Sequence, residues 1–219
     1  MKVFIGVDPR QPLGYNVLQY SIHANSKQPV EVIPLMLSKL PIKRRGLTEF
    51  TYSRFLVPYL CGYEGCAVFM DADIVVTGDI ADLFAQADGV SAVQVMQDQP
   101  KFEWASVMLF NNVMCTKLTP EWIDDEANKP MALGFGAIGS FTPEWNHCVG
   151  YQEPKDAKLY HYTQGLPCFH ETRGLPEDKY WLDAHRSMNH TVSWKELMGT
   201  SVHAKPVLMR MIQRYGIQA

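Results

Sequence analysis

Apolar residues along the chain fall into short continuous runs, and these runs are separated by segments in which apolar positions recur at helical spacing. The first run, residues 2–7, predicts a strand that is buried on both faces. Residues 13–24 carry apolar side chains at helical spacing and predict a helix. Residues 30–37 predict a second strand, in which Pro34 favours an edge strand or a broken one because proline cannot donate a backbone hydrogen bond.

The middle of the chain continues this alternation of strands and helices. Residues 48–60 have a helical pattern, with Thr48 as the expected N-cap and Pro58 as the residue that ends or kinks the helix. A further apolar run at residues 67–70 predicts a strand. Asp79 is the expected N-cap of a short helix that follows it.

The second half of the chain is richer in loops. The strands predicted there are at 90–96, 106–110 and 157–162. One helix is predicted to start at Thr119-Pro120, and another is predicted to span 177–188. A flexible connection is predicted around Gly134, Gly136 and Gly139. Strands that alternate with helices favour an α/β fold with a mostly parallel central sheet and helices on both faces. Because the sequence contains no repeat or linker, we expect one domain over residues 1–219, with a loop-rich and helical C-terminal part from about residue 170.

Composition and charge narrow the class of protein. The 219 residues are 47% hydrophobic and 20% charged, as in a globular protein, and 20 basic against 23 acidic residues give a net charge of −3. This balance argues against nucleic-acid and membrane-surface binding, and the short basic cluster at 43–45 is interpreted as a solvated loop. The sequence shows no signal peptide and no integral membrane segment, so a cytoplasmic protein is expected. Its five cysteines, without a Cys-x-x-Cys pair, suggest neither a disulfide framework nor a structural zinc site.

Two carboxylates directly follow the apolar run at residues 67–70. Asp71 and Asp73 are separated by one residue, and because a strand directs alternate side chains to one face, both carboxylates are expected to converge just past its end. Two oxygen donors at the carboxyl end of a strand suit a hard divalent cation such as Mg²⁺ or Mn²⁺, with positions open to substrate phosphates. On their own, the two residues are explained equally well by a simple turn between a strand and a helix.

Further polar residues occur at the ends of predicted elements in a particular order along the chain. They are Asp8 after the first strand, Arg54 on a predicted helix, the Asp71-x-Asp73 pair, and His161 at the end of a late strand. Together with their surroundings they resemble the retaining glycosyltransferases of family 8, the glycogenin-like and lipopolysaccharide galactosyltransferase-like group, which has the GT-A fold. The similarity extends to about residue 170 and rests on the segments Thr51–Leu60, Val68–Phe84, Val107–Asn111, Trp145-Asn146 and His161-Tyr162.

The resemblance implies a nucleotide-sugar transferase with a bound metal ion. Asp71 and Asp73 would hold Mn²⁺, with Mg²⁺ as the alternative, against the pyrophosphate of a UDP-sugar. His161 would be the third protein ligand, and an imidazole ligand favours Mn²⁺. Asp8 would accept hydrogen bonds from the uracil or the ribose, and Arg54 would pair with Asp71 or the donor. The implied catalytic residues are Asp71, Asp73 and Arg54, and the implied donor-binding residues are Asp8, Arg54, Asp71, Ala72, Asp73, Asn111 and Gly165.

The chain departs from the family pattern at two places near the predicted donor site. Trp104-Ala105-Ser106 stands where the family has Asn-Ser-Gly, and Leu166 stands where the family has a phosphate-binding lysine. Thr163, Gln164 and the backbone of Gly165 remain available to a phosphate. The candidates to supply the positive charge of the missing lysine are Lys158, His170 or Arg173.

The expected reaction is transfer of a hexose from a UDP-sugar to a glycan, a lipopolysaccharide or a small molecule, with retention of the anomeric configuration. Because no side chain stands out as a covalent nucleophile, a front-face mechanism is favoured, in which the departing diphosphate takes the acceptor proton. Two alternatives stay open. One is a non-catalytic sugar-nucleotide or glycan-binding module that keeps the fold. The other, less favoured, is a haloacid-dehalogenase-like phosphatase with Asp71 as its nucleophile.

Overall fold

The computed structural model of the chain describes residues 1–98, 101–190, 199 and 202–216. Within these residues, strands alternate with short helices. In chain order the strands are β1 (Lys2–Gly6), β2 (Glu31–Leu35), β3 (Cys66–Met70), β4 (Ile74–Val76), β5 (Val93–Val95), β6 (Val107–Asn111), β7 (Ile138–Ser140), β8 (His147–Cys148) and β9 (Leu159–His161). The α-helices are α1 (Pro12–Asn25), α2 (Val57–Leu60), α3 (Ile80–Phe84), α4 (Pro120–Asp124), α5 (Asp178–Met188) and α6 (Ala204–Tyr215).

Six strands form the central sheet in the order β2-β1-β3-β6-β5-β7. β1 pairs in parallel with both β2 and β3, and β5 pairs in parallel with β7, whereas β6 lies antiparallel between β3 and β5. The predicted α/β fold with a mostly parallel central sheet is therefore confirmed. Because β6 runs against its neighbours, its first residue, Val107, lies opposite Met70 at the carboxyl end of β3.

A second, three-stranded sheet has the order β4-β9-β8. β4 and β9 are antiparallel, so that Ile74 lies opposite His161, and β8 runs parallel to β9. β4 follows β3 closely in the chain, with only residues 71–73 between them. The pairing of β4 with β9 therefore brings the end of a late strand next to the two aspartates.

The core lies on both faces of the central sheet. Within β3, Ala67 and Phe69 belong to one apolar cluster and Val68 and Met70 to another, and these side chains are fully buried. Residues of α1 and α3 complete the second cluster, and residues of α2 and α4 complete the first, so helices cover both faces as predicted. A strand buried on both faces explains why this run is continuously apolar. Each fully buried Val, Phe or Met side chain contributes about 1.5–3 kcal/mol to folding.

Several local signals in the sequence are confirmed. Pro34 lies in β2, which is an edge strand of the central sheet. Asp79 caps α3 by accepting a hydrogen bond from the backbone N–H of Ala81 at 3.1 Å. Thr119 caps α4 in the same way, because its hydroxyl oxygen accepts from the N–H of Trp122 at 3.2 Å.

The prediction of a helix over residues 48–60 is wrong. Irregular turns lead into a 3-10 helix at Ser53–Leu56, and only α2 is α-helical. Thr48 is not an N-cap, and its hydroxyl instead hydrogen-bonds with the hydroxyl of Thr51 at 3.0 Å. Pro58 does not end a helix, because it lies in the first turn of α2, where a backbone N–H would have no helical partner.

The glycine-containing segment predicted as a flexible connection is partly a strand. Gly139 lies in β7, which pairs with β5 at the edge of the central sheet. A Cβ atom at this position would collide with the side chains of Ser91 and Asp88, so glycine allows the close approach. The predicted strands 90–96 and 157–162 are shorter in the structure, and β8 was not predicted because it is too short to leave a pattern.

The described residues form two compact units, one within residues 1–185 and one from residue 186 onward. The candidate functional site lies in the first unit. In the second unit, α6 is amphipathic and carries Lys205, Arg210 and Arg214. The expected single domain stays a prediction. Over the described part of the chain, no helix combines the length and the apolar character that a membrane span requires.

Candidate metal and nucleotide site

Asp71 and Asp73 lie on the short link between β3 and β4, and a neighbouring strand fixes each of them. The backbone N–H of Asp71 donates to the carbonyl of Ser106, just before β6, at 2.9 Å. The carbonyl of Asp73 accepts from the N–H of Tyr162, just after β9, at 2.8 Å. The link is therefore held between the amino end of β6 and the carboxyl end of β9, where His161 lies.

The side chains of Asp71, Asp73 and His161 converge. Each offers one carboxylate or imidazole donor atom, and these three atoms all lie within 4.8 Å of one another. His161 Nε2 is 3.2 Å from Asp73 Oδ1, and the imidazole is almost completely buried. The structure thus brings together the three residues for which the resemblance implies metal binding.

These donors fit a divalent cation. Asp71 Oδ1 and Asp73 Oδ1 are buried oxygen atoms that accept no hydrogen bond, although a cationic group lies near each of them. When all three are ionised, the carboxylates of Asp71, Asp73 and Glu103 outnumber the one guanidinium and one imidazole that they face, so the cluster offers negative charge to a cation. Hard oxygen donors combined with one imidazole suit Mn²⁺ better than Mg²⁺.

Arg54 supports Asp71 from the turn that precedes α2. Its buried guanidinium lies 3.1 Å from Asp71 Oδ1 through Nη2. Nε donates to the carbonyl of Phe50 at 3.2 Å, and Nη1 donates to the carbonyl of Ala105. The ring of Phe69, whose centroid is 4.9 Å from the guanidinium carbon, covers the cation. The structure therefore pairs Arg54 with Asp71 and fixes the geometry of the guanidinium from several sides.

Burial and charge change the proton affinity of the two central groups. Burial raises the pKa of the Asp71 carboxyl to about 7, although the guanidinium of Arg54 acts in the opposite direction. Burial also lowers the pKa of His161, but the carboxylate of Asp73 outweighs this effect and holds that pKa well above its ordinary value. In the metal-free protein, the folded cluster therefore keeps protons that an unfolded chain releases.

The stability of the metal-free protein is expected to fall as the pH rises. Folding raises the pKa values of both Asp71 and His161. The stability that each protonated group contributes is therefore complete below its ordinary pKa, which is 3.8 for Asp71 and 6.5 for His161. This stability is lost as the pH rises through the pKa that the group has in the folded protein. Each unit of pKa difference contributes about 1.4 kcal/mol. Thermal unfolding in EDTA between about pH 5 and pH 9 tests this expectation. The Tm advantage of wild type over His161→Gln should shrink above about pH 6.5, and a constant advantage would contradict the raised pKa of His161.

A cleft of about 190 Å³ opens beside Asp73. Asp8 follows β1 and lines this cleft together with Ala72 and Asp73. Arg10 holds the Asp8 carboxylate, since its Nε donates to Oδ1 at 2.9 Å and its Nη2 donates to Oδ2 at 2.6 Å. The hydrogen bonds from Arg10 lower the pKa of Asp8, which stays an anionic acceptor. Three residues with an implied role in donor binding therefore share one cleft.

Gly165 lies in the loop after β9, directly before Leu166. Its φ of +118° is a conformation that favours glycine, and its N–H donates to the carbonyl of Tyr162 at 2.8 Å. Gly165 lines a neighbouring cavity of about 230 Å³ together with Arg173, and the next residue, Leu166, lines the cleft itself. The loop therefore contributes to both cavities, and Arg173 shares one of them with Gly165.

Two residues singled out from the sequence lie elsewhere. Asn111 ends β6 beside Cys66, where β3 begins, and Asp71 follows the other end of β3. The two residues therefore lie at opposite ends of these paired strands. The cause is the antiparallel direction of β6, which brings its first residues, rather than its last, to the aspartates. Lys158 lies at the opposite end of β9 from His161 and forms an ion pair with Asp82 at 3.0 Å.

Two charged residues at the site were not predicted from the sequence. Arg10 has a weak sequence signal, since it lies two residues after Asp8 at the end of a strand. Glu103 lies in the 3-10 turn before β6, and its Oε2 is 3.6 Å from His161 Nδ1. No local pattern marks Glu103, because its partner is distant in sequence and the turn itself is irregular.

Comparison with known proteins assigns the chain to a family. No protein-family model matches the chain. Protein CDI of Arabidopsis thaliana is 30% identical over 227 aligned residues, which cover 86% of this chain and 87% of that protein. The chain belongs to the CDI family.

Solved structures similar to this CDI-family protein are glycosyltransferases. The galactosyltransferase LgtC, solved with donor and acceptor sugar analogues, has a TM-score of 0.61 at 10% identity, over 90% of this chain and 99% of LgtC. GlyE of Streptococcus pneumoniae has a TM-score of 0.61 at 17% identity, over 96% of this chain and 64% of GlyE. The bifunctional glycosyltransferase WbbM has a TM-score of 0.59 at 14% identity, over 96% of this chain and 51% of WbbM. The GT-A fold is confirmed for this CDI-family protein.

Proposed function

We propose that this protein is a metal-dependent, retaining glycosyltransferase that moves a hexose from a UDP-sugar to a glycan, a lipopolysaccharide or a small-molecule acceptor. The observation that carries the proposal is the convergence of Asp71, Asp73 and His161 beside a cleft that also contains Asp8. These residues lie at the carboxyl ends of strands, where ligands of open α/β sheets usually bind. The fold shared with LgtC, GlyE and WbbM supports a sugar transferase over a phosphatase.

Each side chain of the site has a role in this proposal. A divalent cation held by Asp71, Asp73 and His161 would neutralise the negative charge that grows on the departing diphosphate. Arg54 holds the Asp71 carboxylate at the cluster through their contact at 3.1 Å. Asp8 accepts hydrogen bonds from the uracil or the ribose, and its pairing with Arg10 keeps the carboxylate oriented.

The proposed step retains the configuration of the transferred sugar. The bond between the anomeric carbon and the diphosphate oxygen breaks, and the acceptor oxygen bonds to the same face of that carbon. The acceptor proton passes to the departing diphosphate oxygen. Such a front-face step requires no covalent nucleophile, so the protein contributes positioning and electrostatic stabilisation. The burial of Arg54 and Asp71 strengthens the electrostatic part, because charges interact more strongly where water is excluded.

A positive charge must replace the family's phosphate-binding lysine, and Arg173 is the replacement that we propose. Arg173 lies near Gly165 and donates from Nη2 to the carbonyl of Cys168 at 3.2 Å, a contact that a diphosphate oxygen can replace. Arg173→Ala should weaken UDP binding by about 10- to 100-fold, the cost of one hydrogen bond to a charged group. Calorimetric titration of UDP in Mn²⁺ measures this change.

Lys158→Ala is the matched control for that titration, because Lys158 is already paired with Asp82 and should leave UDP affinity unchanged. His170, which is exposed, provides a second comparison through His170→Ala. Unchanged affinity in Arg173→Ala would exclude Arg173 and leave Arg10, which lines the cleft itself, as the next cation to test.

Release of UDP from a panel of UDP-hexoses, with and without Mn²⁺, tests the proposed reaction. We expect release from at least one donor in Mn²⁺, no release in EDTA, and NMR spectra of the product that show the anomeric configuration of the donor. Inversion of that configuration would contradict the front-face step. Binding of UDP without release from any donor would favour the non-catalytic module. Turnover of p-nitrophenyl phosphate that disappears in Asp71→Asn would favour the phosphatase.

A further inference from the structure

The 3-10 turn Lys101–Ser106, which leads into β6, contacts both halves of the proposed metal site. On the side of Asp71, the carbonyl of Ser106 accepts from the Asp71 N–H at 2.9 Å, and the carbonyl of Ala105 accepts from Arg54 Nη1. On the other side, Glu103 faces His161. This turn includes the segment that departs from the family pattern, so the departure lies directly at the site.

The backbone of this turn is fixed by buried hydroxyl and amide groups. Ser106 Oγ donates to the carbonyl of Glu103 at 2.6 Å, and Asn146 Nδ2 donates in turn to Ser106 Oγ at 2.9 Å. Ser106, Glu103 and Asn146 are all buried. Two buried hydrogen bonds therefore fix the backbone position from which the Glu103 side chain extends.

Both carboxylate oxygens of Glu103 have partners. Oε1 accepts a hydrogen bond from Thr163 Oγ1 at 2.7 Å, and Oε2 lies 3.6 Å from His161 Nδ1. Glu103 is 5% exposed and so is shielded from the cleft and from solvent. Burial of a carboxylate is costly unless charged or polar groups compensate it, and here the compensating groups are a threonine hydroxyl and the imidazole.

The two ring nitrogens of His161 face different groups. Nε2 faces Asp73 Oδ1 at 3.2 Å, and Nδ1 faces Glu103 at 3.6 Å and the thiol of Cys148 at 3.7 Å. An imidazole that binds a metal through Nε2 keeps its proton on Nδ1, and that N–H needs an acceptor. A carboxylate is a much stronger acceptor than a thiol.

We propose that Glu103 is a positioning residue for the metal site. It accepts the Nδ1–H of His161, and so fixes the ring and its tautomer with the Nε2 lone pair directed to Asp71 and Asp73. Thr163 holds the other carboxylate oxygen and so sets the direction of Glu103. The inference rests on the proposed metal site, and it adds the residue that makes His161 an effective ligand.

The same residues allow a different arrangement, in which Glu103 is itself a ligand. One donor atom each from Glu103, Cys148 and His161 lies within 4.8 Å of the other two. A second ion there would require His161 to bind through both nitrogens as an imidazolate, which has no Nδ1 proton. The proposal therefore commits to one ion, on the Asp73 side of the ring.

Titration of Mn²⁺ followed by electron paramagnetic resonance, in the absence of nucleotide, tests this inference on the full chain. Glu103→Met removes the acceptor at similar volume and should weaken Mn²⁺ binding by about 10- to 100-fold, the usual cost of losing such a partner. Glu103→Gln keeps an acceptor oxygen and should recover part of the affinity. Thr163→Val, which leaves the carboxylate but removes its hydroxyl partner, should cause a smaller loss.

Glu177 provides a matched control, because it is a buried glutamate whose Oε1 lies 3.2 Å from Nε2 of another buried histidine, His147. Glu177→Met should lower the Tm but leave Mn²⁺ affinity unchanged. Equal weakening by Glu103→Met and Glu177→Met, or none by Glu103→Met, would overturn the positioning role. If Glu103→Met does not fold, Glu103→Gln carries the test, with ¹⁵N shifts of His161 in the Mg²⁺-bound protein as the readout. An unchanged Nδ1–H shift would overturn the proposal.

Failure of the inference and failure of the proposed metal site give different results. A wild-type chain that binds one Mn²⁺, together with Glu103 variants that bind it equally tightly, would overturn the positioning role alone. A wild-type chain that binds no Mn²⁺ would overturn both. Substitution with Co²⁺ addresses the two-ion arrangement: a thiolate-to-cobalt absorption band that Cys148→Ser abolishes would make Glu103 a ligand and overturn its role as acceptor.

Discussion

Replacing Asp73 with alanine is expected to weaken Mn²⁺ binding by more than about 100-fold. Asp73 Oδ1 is a buried oxygen without a hydrogen bond, and it lies 3.2 Å from His161 Nε2. The substitution therefore removes one proposed ligand and also a contact that orients another. Loss of an outer partner of a ligand already costs about 10- to 100-fold in metal affinity, so loss of the ligand itself should cost more. Electron paramagnetic resonance of free Mn²⁺ gives the dissociation constant directly.

Asp82→Asn is the control for this measurement. Asp82 is an exposed carboxylate whose partner is Lys158, so the variant removes the same charge from a surface ion pair. Its effect on Mn²⁺ affinity should stay within about twofold, as for most surface substitutions. Wild-type affinity in Asp73→Ala would show that the chain binds Mn²⁺ somewhere else, and the metal site proposed at the end of β3 would then be wrong.

Arg54→Met is expected to lower the free energy of unfolding by about 3–5 kcal/mol, which is the usual cost of removing one partner of a buried ion pair. The variant leaves the Asp71 carboxylate without its cation, and the carbonyls of Phe50 and Ala105 lose their hydrogen bonds from the guanidinium. In a protein of this size, the Tm should fall by about 6–20 °C. Thermal unfolding in EDTA at pH 8 measures the change without a contribution from bound metal.

Two comparisons separate the loss of charge from the loss of packing. Adding Asp71→Asn to Arg54→Met should restore part of the stability, because no unpaired carboxylate then remains buried. Arg45→Met breaks the exposed pair with Glu49 and should cost only about 0–1 kcal/mol. An equal Tm loss in Arg54→Met and Arg45→Met would contradict the role assigned to Arg54.

Much of the central sheet can be predicted from the sequence, because the features concerned depend only on residues that are neighbours in the chain. The continuous apolar run in β3, the edge position of Pro34, the N-cap Asp79 and the helix start at Thr119-Pro120 are all of this kind, and all are confirmed. The helix over residues 48–60 is wrong for the opposite reason. Its apolar spacing is local, whereas distant contacts, such as that of Arg54 with the carbonyl of Ala105, determine the observed turn.

The candidate site depends on strand pairing, which local patterns do not reveal. His161 reaches Asp73 because β9 pairs with β4 in one antiparallel register, and only the resemblance to family 8 predicted that convergence. An apolar run also shows where a strand lies but not its direction, which is why Asn111 lies far from Asp71. Glu103 could not be recognised because its burial beside His161 exists only after the chain has folded.

Calorimetric titration of UDP, with GDP as the control nucleotide, tests the proposed donor site most directly. The titration is made in Mn²⁺ and again in EDTA, on wild type and on Asp73→Ala. We expect wild type to bind UDP more tightly than GDP in Mn²⁺, and we expect this binding to disappear both in EDTA and in Asp73→Ala. Absence of UDP binding under every metal condition, or UDP binding that is indifferent to both Mn²⁺ and Asp73, would contradict a metal-dependent UDP-sugar site in this protein.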